Sequence, residues 1–223
     1  MSLRESSDYQ SSGEFVFSKA YEEVFIRRVH QLLGMGYVTM PSSDFSDAQE
    51  EDITGELVRA IDSAIGNANA PTWTDLFSIH EEPRIHAPNR KGKRRRRLDI
   101  RIDSSEIRPR SRLSFEAKRL GPNHGVSKYL GTDGLQCFLE GRYARDDSTG
   151  GMLGYVQEGT CKEWAQKIDT SITKESKKLY VTKTGSWRSI RITGKVPFTY
   201  RSDHNRPKVG RPIEIYHTLL CFN

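Results

Sequence analysis

The chain has 223 residues, 35% apolar and 29% charged, with a net charge of +6. That is enough apolar material for one domain with a substantial core, and no run approaches the roughly 18 apolar residues of a membrane span. The polar start MetSerLeuArgGluSerSer lacks a signal-peptide apolar region, and Cys137, Cys161 and Cys221 form no Cys-x-x-Cys pair. The expectation is a soluble cytoplasmic protein with reduced, partly buried thiols and neither a disulfide framework nor a structural zinc site.

Residues 1–14 are Ser-rich and polar and are expected to fray as a flexible N-terminus, leaving 15–223 as a single domain. From Phe15 to Leu33, apolar residues recur at three-to-four spacing (Ala20 or Tyr21, Val24 or Phe25, Val29, and Leu32 or Leu33), which predicts an amphipathic helix closed by Gly34 and Gly36. His30 in it reads as a packing residue. After an acidic connector (42–52), a second helix is expected from near Thr54 towards Gly66, with Ile53, Leu57, Ile61 and Ile65 as its apolar line. Glu56 lies beside that line with the small residues Ala60, Ser63 and Ala64. Close packing against a sheet would leave Glu56 at the helix edge, facing the strands. An acid in a first helical turn also simply favours the helix dipole.

Trp73 to His86 reads as a first strand with its loop. Two alternating runs follow, 98–102 and 112–118. In the second, Leu113, Phe115 and Ala117 alternate with Ser114, Glu116 and Lys118; in the first, Leu98, Ile100 and Ile102 oppose Asp99, Arg101 and Asp103. Paired as an antiparallel hairpin, the runs bring two carboxylates and a lysine onto one polar sheet face. Asp99 is preferred to Asp103, which opens the turn-like AspSerSer at 103–105. A hairpin with a merely solvated charged face would show the same alternation.

Charge is concentrated here. Residues 84–119 hold 14 Lys or Arg against four acids, a local balance of +10 that leaves about −4 for the remainder. The densest part, Arg90, Lys91, Lys93, Arg94, Arg95, Arg96 and Arg97, suits a polyanion through counterion release and abuts Asp99 directly. Arg119, His124 and Lys128 could extend a phosphate track, and Arg206 with His204 could join it from a polar turn at 202–206. Beyond Lys118, a helix is expected at 134–143, crossing the sheet, then a strand at 152–156 and a helix at 161–172. Strands near 178–182, 189–200 and 212–222 complete an α/β arrangement, a central mixed sheet flanked by helices.

A helix carrying Glu56, a strand, a strand with Asp99, a strand with Glu116-x-Lys118 and a helix, in that order, resemble the PD-(D/E)xK nuclease superfamily over roughly residues 50–160. The resemblance implies a restriction-endonuclease-like fold, Asp99 and Glu116 as ligands of Mg²⁺ (Mn²⁺ substituting), Lys118 orienting or activating the attacking water, and Glu56 as the auxiliary acid. Leu98 stands where the family's Pro is usual. With Glu140 four residues beyond Gln136, the branch carrying Gln-x-x-x-Tyr is not assigned. The residue types fit the chemistry: hard carboxylate oxygens hold Mg²⁺ while leaving sites for water and phosphate, the Ala117 backbone carbonyl is a further candidate ligand, and Lys118 supplies a point charge.

The expected function is therefore metal-dependent endonucleolytic cleavage of DNA, double-stranded by preference. Its setting in bacterial restriction or defence rests on the resemblance alone. A homodimer or a complex with other restriction or defence subunits would suit duplex cutting, though nothing in the chain marks an interface. Two alternatives remain: a nucleic-acid-binding or assembly module that does not cut, and a nuclear protein whose arginine run is only a targeting tract.

Overall fold

In the computed structural model, residues 7–41, 45–84, 97–182 and 187–223 are described, with side chains from Lys19 onward. Seven strands form one mixed sheet in the order β1-β2-β3-β4-β7-β6-β5: β1 (Phe77–Glu81), β2 (Ile100–Ser104), β3 (Arg112–Leu120), β4 (Thr149–Val156), β5 (Arg188–Ser189), β6 (Thr199–His204) and β7 (Ile213–Cys221). The central pairs β3/β4 and β4/β7 are parallel and the outer pairs antiparallel. The α/β expectation with a mixed, helix-flanked sheet holds at this level. No described helix is long and apolar enough to cross a membrane.

One face of the sheet is covered by α1 (Ser7–Tyr37) and α2 (Glu50–Ile65), whose Val29, Leu33, Ile53, Leu57 and Ile61 meet Ile100, Ile102, Leu113, Phe115 and Ala117. On the other, the short helices α3 (Val126–Tyr129) and α4 (Gln136–Leu139) and the longer α5 (Cys161–Lys174) cover Leu120, Met152, Val156, Ile215 and Leu219. Period-two alternation sorts the strands between these two cores, as expected for a central sheet clothed on both sides.

Several elements differ from expectation. Helix α1 begins at Ser7 and runs through Gly34 and Gly36. A Cβ at these glycines would lie 2.7 Å from Lys195 Cβ and 2.5 Å from Ile61 Cγ1, so they allow close approach rather than stop the helix. Helix α2 starts at Glu50, inside the supposed connector, because Glu50, Glu51 and Asp52 favour its positive end. The expected 134–143 helix shrinks to one turn, and 178–182 is not a named strand. Residues 189–200 divide between β5 and the start of β6, while the polar turn expected at 202–206 is partly strand. Cys161 and Cys221 are joined as a disulfide with Cα atoms 6.1 Å apart, contrary to the expected reduced thiols. Sequence distance hid this: the parallel register sets Cys221 beside Val156, just before Cys161 opens α5.

A closed polar chain lies beneath β6 and β7. The His204 Nδ1–H donates to the Leu179 carbonyl at 2.7 Å. His204 Nε2 therefore accepts from the Ser202 hydroxyl (2.7 Å), which accepts from His217 Nε2–H (2.7 Å), whose Nδ1 accepts from the Tyr129 hydroxyl (3.0 Å). All four side chains are fully buried.

Candidate active site

Register brings the hairpin together. Ile100 stands opposite Phe115 and Ile102 opposite Leu113, which sets Asp99, one residue before β2, against Glu116. The chain bends at Asp99, so Leu98 packs in the core opposite to that of Ile100 and Ile102, departing from strict alternation. Asp99 Oδ2 accepts the Ala117 N–H at 2.6 Å, pinning the two runs to each other.

The expected exposed polar face is largely closed. Strand β3 has neighbours on both sides and helices on both faces, leaving Ser114 4% and Glu116 5% exposed. Lys118 reaches back to Glu116 Oε1 (3.0 Å), across to Glu50 Oε1 (2.7 Å) and to the Ala117 carbonyl (2.5 Å), so its three N–H donors are committed and it stands as an ammonium. Three carboxylates thus surround one cation. Glu116 Oε2 is buried and has no hydrogen-bond partner.

The electrostatics follow. Burial, then the nearby Asp99 charge, pushes the Glu116 carboxyl up to about 8. Burial also pushes Asp99 up to about 6, against the pull of Lys118 and the Ala117 N–H. Lys118 moves the other way: burial alone would lower it, but Glu116, Glu50 and Asp99 together hold it above its ordinary value. Such acids, aimed at one place without enough positive charge, make this cluster a candidate functional site.

Glu50 was not foreseen, and it replaces Glu56 in this cluster. Its second oxygen accepts the Arg119 N–H at 3.1 Å, so the first turn of α2 is tied to the end of β3. The Thr54 hydroxyl, 3.0 Å from the Tyr155 hydroxyl on β4, fixes the helix at that level. Glu56 pairs with Arg59 and lines a surface groove with Met35, Val38 and Lys195. Six residues separate the two glutamates, about 240° around a helix and about 9 Å along it, so one cannot stand in for the other. The acidic run before Thr54 was the available signal, masked by the late helix start.

The other candidates divide. Arg97 pairs with Glu82, and its carbonyl accepts the Tyr143 hydroxyl at 2.8 Å; Arg90 to Arg96 lie outside the described residues. Arg119 sends one guanidinium nitrogen to the Ala48 carbonyl at 3.2 Å. His124 is half-buried, and desolvation with the neighbouring Arg119 and Lys128 charges lowers its pKa. Asp103 belongs to a separate group with Arg101 (3.1 Å) and His80 (3.3 Å). Arg206 is corrected outright: 1% exposed, it donates to the carbonyls of Ala144, Asp147, Arg211 and Pro212 and braces the entry to β7. His204 is spent in the buried chain.

A divalent cation can be tested against these residues. Among the described residues, no three His, Cys, Asp or Glu side chains form a ready-made cage, since Glu50 is turned to Lys118 and Arg119. Two carboxylates and the Ala117 carbonyl nevertheless offer hard oxygens of the kind Mg²⁺ takes when it retains water. With all acids ionised the cluster carries two uncompensated negative charges, and Glu116 Oε2 is an acceptor without a donor. The donor set fits. No protein-family model, curated protein or solved structure matches the chain.

Proposed function

We propose that the chain is a Mg²⁺-dependent nuclease that hydrolyses phosphodiester bonds of DNA, with Asp99, Glu116 and the Ala117 carbonyl as the metal-holding set. The observation that carries this reading is the unpartnered Glu116 Oε2 beside Asp99, in a buried acidic cluster adjoining the most basic part of the sequence. When bound, the ion would supply a Lewis acid for the phosphate and lower the pKa of an attacking water. Lys118, held as an ammonium by three acceptors, presents a fixed positive charge at the same place. Glu50 is a positioning residue: it aims Lys118 and ties α2 to β3. Arg119, next to last in β3, with His124 and Lys128 beyond the strand end, would meet a phosphodiester backbone leaving the site. A restriction-endonuclease-like classification and a defence setting belong to the same proposal and rest on the motif order.

The test is cleavage of duplex, single-stranded and branched DNA and of RNA with Mg²⁺ or Mn²⁺. Asp99→Ala and Lys118→Ala should each lower the rate about 10²-fold or more while salt-sensitive binding persists. Absence of metal-dependent cleavage by the unaltered protein on every substrate would sink the reading. One observation favours a non-cleaving binding module instead: all three Lys118 donors are satisfied within the protein. In that case the substitutions would alter stability alone.

A further inference from the structure

The β2–β3 hairpin projects a braced basic tip. Residues 105–110 are all exposed, including Ile107 at 37%. An exposed turn is ordinarily a mobile one, yet this one is tied down from three directions. Both Glu106 oxygens accept from Arg28 Nη1 at 2.7 Å, and that guanidinium lies 5.7 Å from the centre of the Trp73 ring. The Ser105 N–H and hydroxyl both donate to the Leu76 carbonyl, at 2.8 and 3.2 Å. At the tip's far side, Arg112 holds Asp147 through both oxygens at 3.0 and 3.2 Å.

These contacts neutralise Glu106 and Arg112 but leave Arg108 and Arg110, on either side of Pro109, with no ion pair to another described residue. Two uncompensated guanidinium groups, a rigid proline and an exposed isoleucine are therefore presented on a fixed stem. From Asp99 to Ser104 is five residues of strand, about 17 Å, so the tip beyond Ser104 stands at least roughly half a turn of duplex DNA from the acid. A stiff duplex lying along β2 would meet the acidic cluster and the tip together. A flexible single strand gains little from a braced, distant contact.

We infer that the hairpin tip at Ile107, Arg108 and Arg110 is a second binding site for duplex DNA, engaging phosphates at least about half a helical turn from the acidic cluster, with Ile107 against the groove edge. That the polyanion is DNA rests on the nuclease reading; the contact itself does not require cleavage. The experiment is fluorescence anisotropy with a labelled duplex of about three helical turns, in EDTA so that nothing is cut, over a salt series. For Arg108→Ala/Arg110→Ala the expected result is affinity about tenfold weaker, with the slope of log affinity against log salt reduced by about two. Arg108→Lys/Arg110→Lys should retain the slope, showing that charge rather than folding is at stake.

An unchanged slope overturns the inference, as does an unaltered protein that binds no duplex. Equal weakening for single-stranded DNA overturns the duplex assignment. Binding that depends on the tip, with no cleavage under any metal, removes the nuclease reading and leaves this one standing. Cleavage with tip-independent binding does the reverse.

Discussion

Two of the polar clusters buried among the described residues differ in one respect that matters. The chain from Tyr129 through His217 and Ser202 to His204 is neutral and closed, each ring nitrogen and hydroxyl having a partner, and it ends on a backbone carbonyl. The cluster of Asp99, Glu116, Glu50 and Lys118 is charged and open: it carries more acid than base and leaves Glu116 Oε2 with nothing to accept. A satisfied network stiffens a core. An unsatisfied charged one costs stability, which is why this cluster is the candidate for binding an ion. His30, in the other core beside Phe115 and Tyr216, is intermediate: its Nδ1–H donates to the Ile26 carbonyl at 2.8 Å, while its Nε2 is buried without a partner but carries no charge.

The comparison breaks most sharply at Glu116. Glu116→Gln should abolish metal-dependent cleavage, by about 10²-fold or more, while raising stability in metal-free buffer at about pH 9 by about 1 kcal/mol, since a buried, underpartnered charge disappears there; near pH 7 the carboxyl, pushed up to about 8, is already mostly neutral. Cleavage assays with and without Mg²⁺, set against thermal melts, check both signs. A variant that is less stable and fully active would erase the distinction.

Acid should act on the closed network and on His30. Burial lowers His30 to about 4 and depresses His204 and His217 as well. Because the folded pKa lies below the unfolded value near 6.5, the unfolded chain binds more protons in that window. The contribution is complete above about pH 6.5 and is lost as pH falls towards the folded values, on the order of 3 kcal/mol for His30 alone. Because the raised Glu116 and Asp99 act with the opposite sign over the same window, denaturant unfolding at pH 7.5, 6 and 5 is compared between the unaltered protein and His30→Leu, and identical pH slopes would show that the His30 ring is not held neutral.

Ser202→Ala removes two hydrogen bonds and leaves two imidazole nitrogens unpartnered. Stability should fall by about 2 kcal/mol, lowering Tm by about 4–8 °C, with the cleavage rate per folded molecule unchanged. The smallest effects separate the two glutamates of α2. Glu50→Gln should lower kcat about tenfold by releasing Lys118, whereas Glu56→Gln should stay within about twofold. Equal effects would mean that the Lys118 contact does not matter.

The hairpin could be read from sequence because alternation is local. Leu113, Phe115 and Ala117 against Ser114, Glu116 and Lys118 need only the pleat to declare their faces, and an antiparallel partner with Asp99 lay a few residues upstream. Helix α5 and strand β4 were likewise evident from Trp164, Ile168 and the apolar run Met152–Val156. What failed depended on neighbours distant in sequence. Gly34 and Gly36 read as stops until Lys195 and Ile61 were beside them, and Arg206 read as a phosphate ligand until four carbonyls enclosed it. Glu50 was missed because the helix was expected to start near Thr54, which left Glu50 in the connector and Glu56 as the acid considered on the helix.

The sequence by itself determined the α/β character, the pairing of Asp99 with Glu116 and Lys118, and the concentration of positive charge around them, since composition, charge and period-two alternation depend on neighbours a few positions away. Only the tertiary structure decided that the polar face is buried rather than solvated, that Glu50 and not Glu56 reaches Lys118, that Cys161 meets Cys221, and that Glu116 keeps an oxygen without a partner. Burial and hydrogen-bond satisfaction are properties of the assembled layers, in which β4, α2 and the helices of the opposite face close over residues that the strand alone would leave in water.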